Sequence, residues 1–344
     1  MTAADSPGPN GPDTNGSGTN GSGAGVVAVA GEALVDLVPA PVGGYFEIAP
    51  GGSPANVAVG LARLDVPARL LARIGDDMLG RRIREHLTRN GVQLDHAVAA
   101  SEQTTLAMVS LDDDGSPDYD FRTAGTADWQ WTPAELEGAL DPGAAGPVVA
   151  LHSGSIALTT PPGDAVLRDL LARASESVTV SYDPNCRPLL MGRPETVLAG
   201  VHELLAVADV VKVSEEDLRW LLPGRTPEQV VDDWLGRGPT LVAVTLGGDG
   251  VLAGTTSGLR VRRPGVPVEV IDTVGAGDTF SAALLAGLHR VRLLGVDRQE
   301  ALAGIDHATL DELLQDAVLA AAICCSRRGA DPPTRGDLRL SRMA

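Results

Sequence analysis

Lysine is almost absent from this 344-residue chain: Lys212 is the only one, and the other basic residues are arginines. There is no Gly-Lys pair and so no Walker A loop; any nucleotide phosphate must be held by other donors. Aromatic residues make up 3% of the chain, too few for a base-stacking platform. Of the three cysteines, Cys324 and Cys325 are adjacent and Cys186 stands alone. That excludes a disulfide framework and fits a reducing, cytoplasmic setting. The six histidines show no metal-ligand spacing. No apolar run is long enough to cross a bilayer. A net charge of −18 argues against a nucleic-acid or anionic-membrane partner. Residues 1–25 are small and polar, carry only Asp5 and Asp13 as charges, and contain no apolar run. They are expected to be a disordered tail, neither a signal peptide nor a span.

What is present is alternation. Apolar runs at 26–29, 69–74, 148–151, 178–182, 210–213 and 241–246 read as strands. Amphipathic runs at 53–64, 78–90, 163–174, 195–208 and 227–236 read as helices. Such alternation predicts a mostly parallel sheet covered on both faces. Two regions depart from it. Residues 42–48 and 104–122 look like short strands with polar alternation, the second interrupted by Asp112-Asp113-Asp114-Gly115, and suggest a small β lid. Residues 292–310 look like a surface insertion before a last helix at 311–326.

The densest motif is Asp272-Thr273-Val274-Gly275-Ala276-Gly277-Asp278-Thr279-Phe280. A strand-like run at 268–271 leads into it and an apolar helix-like run at 281–288 leaves it. The turn therefore marks a helix N-terminus, where free N–H groups and the helix dipole favour an anion. Gly275, Ala276 and Gly277 let backbone approach a phosphate, and Asp278 puts a carboxylate beside it. A carboxylate there suits removal of a proton from an attacking hydroxyl. A tight turn with Asp278 as a helix cap is the plainer alternative.

Other candidates fall at strand ends, where open α/β sheets bind ligands. Asp36 follows the first strand and can accept from a polyol. Gly51-Gly52-Ser53-Pro54-Ala55-Asn56 opens a helix, with Ser53 able to cap and Asn56 in the first turn. Ile74-Gly75-Asp76-Asp77 adds turn carboxylates. Asp183-Pro184-Asn185-Cys186-Arg187 offers an acceptor, an amide and a guanidinium; Arg187 suits Asp183 or a phosphate equally. Lys212 leads into Ser214 and Asp217, a capping-box-like pair. Thr245-Leu246-Gly247-Gly248-Asp249-Gly250 ends another strand.

Taken in order, these motifs resemble the ribokinase-like (PfkB) family of carbohydrate kinases, from about residue 26 to 333. Gly51-Gly52 with Asn56, and the Asp272 to Asp278 run, look like its two signatures. Phe121-Arg122, Ala127-Asp128-Trp129, Asp183 to Arg187 and Cys325 to Ala330 look most like bacterial fructokinases. The resemblance implies a three-layer α/β fold with a mostly parallel central sheet and a small β lid. It covers one domain at 26–340, with lid segments near 42–48 and 104–122. It implies transfer of the γ-phosphoryl of ATP to a sugar hydroxyl, with fructose as the sugar. Asp278 would be the general base, and the amides of Gly275, Ala276 and Gly277 the anion hole. Asp36, Gly52, Asn56, Asn185 and, from the lid, Arg122 would hold the sugar. Lys212, Ser214, Thr245, Gly247 and Gly250 would line the nucleotide side. Asp217 would organise Mg²⁺ and Asp272 a monovalent cation such as K⁺. Backbone amides, Mg²⁺ and Arg187 would carry the charge compensation that no P-loop lysine supplies. Ser214 and Asp217 stand where the family often has Asn-x-x-Glu, and Val318 where many members have Asn. The expected partners are the sugar, ATP and a second copy joined through the lid. The rivals are a kinase for ribose, a keto-deoxygluconate or a nucleoside, and a non-catalytic sugar-binding regulator. Scarce aromatics argue against a nucleoside, and the intact Gly275 to Asp278 set argues against the regulator.

Overall fold

The computed structural model describes residues 25–40, 44–111 and 117–343. Residues 1–24 of the expected tail, residues 41–43 and the 112–115 turn lie outside these; Gly25, the last residue of the expected tail, is instead buried, its carbonyl against His289 Nε2 (3.0 Å). The strands are β1 (Val26–Ala30), β2 (Leu34–Pro39), β3 (Phe46–Gly51), β4 (Ala68–Leu71), β5 (Arg73–Gly75), β6 (Val98–Ala100), β7 (Leu106–Leu111), β8 (Pro117–Arg122), β9 (Val148–Gly154), β10 (Thr179–Asp183), β11 (Val210–Ser214), β12 (Leu241–Thr245), β13 (Val251–Thr255) and β14 (Arg260–Arg263). The helices are α1 (Ser53–Arg63), α2 (Met78–Arg89), α3 (Asp164–Ala174), α4 (Pro188–Met191), α5 (Pro194–Leu205), α6 (Glu215–Leu221), α7 (Pro227–Leu235), α8 (Ala276–Arg290), α9 (Gln299–Ala303), α10 (His307–Cys325) and α11 (Arg335–Met343).

Eight strands form the central sheet in the order β14-β13-β12-β11-β10-β9-β1-β4. β12 through β4 run parallel, and β13 and β14 add an antiparallel edge. The expected α/β fold is therefore observed. The period of two splits β1 between two cores. Val27 and Val29 pack with α1, α8 and α10 through residues such as Leu61, Phe280 and Leu313. Ala28 and Ala30 pack with α3, α5 and α7 through Leu167, Val201 and Trp234. Helix α8 is buried from Asp278 to His289 because α1 and α10 flank it. Its uniformly apolar sequence, unusual for a surface helix, reflects that position.

A second sheet, β3-β2-β7-β8, projects from the body, with β5 and β6 paired separately. The 42–48 expectation corresponds to β3, and the 104–122 expectation to β7 and β8. β2 was not foreseen: the chain around Asp36 is a strand of this sheet, paired with β3 and β7. The 69–74 run breaks at Ala72 into β4 and β5, which serve different sheets.

Three expectations fail. Residues 268–271 are not a strand. Pro264 and Pro267 cannot donate to a ladder, and β14 pairs only with β13. Val270 and Ile271 are exposed, so β propensity finds no sheet to join. The 292–310 segment is not a simple surface insertion: it forms α9 and the start of α10, and buries Leu302 and Leu310. Nor is 311–326 the last helix, since it begins at His307 and α11 follows it.

Between body and second sheet lie two buried carboxyls, Glu32 and Asp128. Asp128 accepts from the Ala33 amide (2.8 Å). Glu32 Oε2 and Asp128 Oδ2 have no partner among the described residues. Burial pushes Glu32 from 4.5, and Asp128 from 3.8, up to about 7, outweighing their hydrogen bonds. The folded state thus keeps protons that the unfolded chain releases. Their contribution to stability should be full below about pH 4 and be lost as pH rises from there through about 7. Glu32→Gln should raise the melting temperature at pH 8 and change it little at pH 5. A parent melting temperature flat across that window, or a lower one for Glu32→Gln at pH 8, would contradict this.

Candidate active site

The first turn of α8 organises the site. Gly275 precedes the helix in the left-handed region, φ 76°. A Cβ there would also sit 2.6 Å from Ala330 Cβ, so only glycine fits. The Ala276 amide bonds back to Thr273 O (3.3 Å). The amides of Gly275, Gly277 and Asp278 have no partner among the described residues. Of the three amides expected to form an anion hole, then, Gly275 and Gly277 are free and Ala276 is engaged in closing the turn.

Asp278 is buried in this turn and is met by donors from two other elements. Ser53 Oγ donates to its Oδ1 (2.7 Å) and Asn56 Nδ2 to its Oδ2 (2.9 Å), both from the start of α1. Asn185 Nδ2 donates to Oδ1 at 3.4 Å. Asp278 is thus not a helix cap. Nor is Ser53: Gly52 occupies the cap position and makes no side-chain bond. Sequence reasoning missed Ser53 as a site residue because a serine beside Pro54 already had a local explanation.

Asp36 approaches the same place from β2. Its carboxylate has no hydrogen bond among the described residues. Burial pushes it from 3.8 up to about 6, with Arg187 opposing and Asp278 adding to the rise. Its position explains the paired glycines. A Cβ on Gly51 would collide with Asp36 Oδ2. Gly52 has φ 100°, and a Cβ on it would lie 2.6 Å from the Glu32 carbonyl oxygen. Arg187 does not pair with Asp183. Its Nη1 donates to Asn185 Oδ1 (2.8 Å) and to the carbonyls of Asn185 and Cys186. Asn185 adopts φ 39°, costly for a residue with a Cβ. The bend lets its amide face Asp278 while its carbonyl groups hold Arg187.

Lys212, expected on the nucleotide side, lies against the glycine turn although no P-loop carries it. Nζ donates to Asp183 Oδ2 (3.0 Å), with both side chains buried. A Cβ on Gly277 would lie 2.8 Å from that Nζ, so the ammonium sits directly against the glycine turn. Burial lowers the Lys212 pKa, but Asp183, Asp217 and Asp278 outweigh it and hold the group protonated. Burial raises Asp183 to about 6, short of neutralising it at pH 7.

Ser214 and Asp217 form the anticipated capping box on α6, and Asp217 Oδ1 also accepts from Cys186 N (2.8 Å). Thr245 ends β12, and Gly247 and Gly250 shape the turn into β13, all at the carboxyl ends of the strands. Asp272 binds its own turn to the C-terminal segment, accepting from Val274 N (3.0 Å) and Gly329 N (2.8 Å). Asp77 caps α2 and accepts from Thr104 N (2.8 Å), anchoring the start of the second hairpin. Arg122 is not brought to the site: it is exposed on β8 and paired with Asp120.

The family described as pfkB family carbohydrate kinase matches residues 26–335. A fructokinase of Rhizobium leguminosarum bv. trifolii is 35% identical over 272 residues, 78% of this chain and 81% of the relative. A fructokinase with bound ATP from Xylella fastidiosa superposes with a TM-score of 0.83 at 26% identity, covering 93% of this chain and 99% of that one. A Vibrio cholerae fructokinase double mutant, with fructose, ADP and potassium ion bound, has a TM-score of 0.77 at 29% identity, covering 92% and 98%.

Proposed function

Because the chain belongs to the pfkB family of carbohydrate kinases, we propose that it is an ATP-dependent fructokinase with Asp278 as its base. One observation carries the assignment of Asp278. It is the carboxylate in the glycine-entered first turn of α8, and it is oriented by Ser53, Asn56 and Asn185. Asp278 takes the proton of a primary sugar hydroxyl as that oxygen attacks the γ-phosphorus. The bond from γ-phosphorus to the bridging oxygen breaks, and ADP leaves. The free amides of Gly275 and Gly277, with Ala276 shaping the turn, hold the equatorial oxygens. Lys212 adds a fixed positive charge behind them.

Asp36, Asn56, Asn185 and the Gly52 backbone hold the sugar hydroxyls. Ionised, Asp36 accepts charge-assisted bonds at both oxygens; protonated, it keeps a weaker acceptor and becomes a donor. As pH falls through about 6 it takes up a proton, so the KM for fructose should rise several-fold between pH 7.5 and 5.5. In Asp36→Asn that pH-dependent rise should disappear. An unchanged KM profile in Asp36→Asn would remove Asp36 from the sugar site.

The nucleotide lies along Ser214, Thr245, Gly247 and Gly250. Asp217 does not fit as a direct ligand to Mg²⁺, its oxygens being engaged by Ser214 and Cys186. The ion would arrive with the nucleotide, Asp217 facing its outer waters. A monovalent cation such as K⁺ fits better near Asp272, where a carboxylate meets the backbone of the 325–330 segment. It would supply positive charge beside the anion hole. The second sheet acts as a lid: on closure Arg122 leaves Asp120 for the sugar, and water is excluded. Exposed Tyr45 and Phe46 at the edge of that sheet support a homodimer through the lid. The cysteine usage fits a cytoplasmic setting.

ADP release measured against fructose, ribose, a keto-deoxygluconate and a nucleoside tests the proposal. Fructose should have the highest kcat/KM. Another sugar winning would leave a carbohydrate kinase but discard the fructokinase, and no release with any of them would discard both.

A further inference from the structure

Outside the site, a groove of about 540 Å³ runs between α2 and β3. Its wall on α2 carries Arg81, Arg82 and Arg89, all exposed, with the half-buried His86 between them. None of the three arginines has an ion pair or side-chain hydrogen bond among the described residues. Many arginines elsewhere find carboxylates, as Arg260 does with Asp232, Arg262 with Glu228 and Arg327 with Asp337; those without one, such as Arg292 and Arg339, stand singly in the sequence, whereas these three line one groove in a chain of net charge −18. Among the described residues Glu85 is the one carboxylate lining the groove, so two positive charges go uncompensated. A phosphate monoester carries about −1.5 to −2 at neutral pH, which matches that excess. Guanidiniums are also the side chains suited to phosphate oxygens. The opposite wall, Ile48 and Pro50 of the β3 segment, offers apolar surface for a small carbon skeleton.

We propose that this groove binds a small sugar phosphate, the phosphate on Arg81, Arg82 and Arg89 and the carbon skeleton against β3. Both walls lead to the lid. Pro50 adjoins Gly51 and Gly52, and Asp77, the cap of α2, holds Thr104 at the start of the β7–β8 hairpin. An occupant bridging the walls fixes β3 against α2 and steadies the lid.

His86 reports occupancy. Burial lowers its pKa, and Arg63 and Arg89 lower it further against the opposing charge of Asp331. A phosphate beside it must raise it. The experiment follows the His86 imidazole by NMR, on the full chain with saturating fructose and ADP so that the main site is occupied. Inorganic phosphate, fructose 6-phosphate and AMP are added in separate arms. Fructose 6-phosphate should raise the His86 pKa and slow exchange of β3 amides, and inorganic phosphate should raise the pKa more weakly. AMP should bind no better than inorganic phosphate. The triple variant R81Q/R82Q/R89Q changes only exposed side chains and should fold. Its affinity for fructose 6-phosphate should fall by about tenfold or more. An unmoved His86, or the same shift in the triple variant, would overturn the site. AMP binding more tightly than fructose 6-phosphate would overturn the ligand class. A change in oligomeric mass of the triple variant without loss of phosphate binding would mark the groove as a subunit contact instead.

Discussion

Asp278→Asn should fold like the parent and lose about 10²–10⁴-fold in kcat, the range that general-base catalysis contributes. The substitution is close to isosteric. The new amide can keep its oxygen toward Ser53 and Asn185, and Asn56 can turn its own amide to meet the new NH₂. Sugar binding should therefore change little, and the loss should appear in kcat rather than KM. Turnover within about threefold of the parent lies far below the base-catalysis range and would remove Asp278 from that role.

The second large effect concerns Lys212. Lys212→Met should destabilise the fold by about 3–5 kcal/mol, because it strands the buried Asp183 carboxylate. Adding Asp183→Asn should recover much of that stability, since the remaining amide needs only hydrogen bonds, such as those from Asn185 N and Ser281. Turnover should not recover with it. If the ammonium against Gly277 stabilises charge on the transferred phosphoryl, the double variant should stay about 10²-fold slow, the scale of losing one preorganised electrostatic partner. A double variant that is both stable and active would make the pair purely structural.

Much of this was legible in the sequence, for identifiable reasons. Buried parallel strands must be continuous apolar runs, so β1, β9, β10, β11 and β12 announce themselves. Gly275 and Gly277 were legible because a turn into a helix has few other uses for two glycines. Less legible was anything set by partners distant in the chain. β2 reads as a loop because its strand character depends on β3 and β7. Residues 268–271 read as a strand because valine and isoleucine favour one, yet Pro264 and Pro267 leave them no ladder. Ser53 looked like a cap until Asp278, over two hundred residues away, proved to be its acceptor. Lys212 is placed on the nucleotide side by resemblance alone; that β11 delivers its ammonium against Gly277 needed the fold. Arg122 was placed at the sugar by resemblance, while the structure holds it on Asp120. The reason two consecutive glycines open α1 also needed the fold: Asp36 and the Glu32 carbonyl take the space their side chains would fill.

The most direct test of the account follows phosphorus. With ATP, magnesium and fructose, ³¹P NMR should show one ADP and one phosphate ester formed per ATP consumed, the ester phosphorus coupled to the two protons of one methylene carbon as a primary ester requires. The Asp278→Asn chain under the same conditions should leave ATP nearly intact. ATP converted to ADP and inorganic phosphate without a sugar ester, or an ester formed as fast by Asp278→Asn as by the parent, would contradict it.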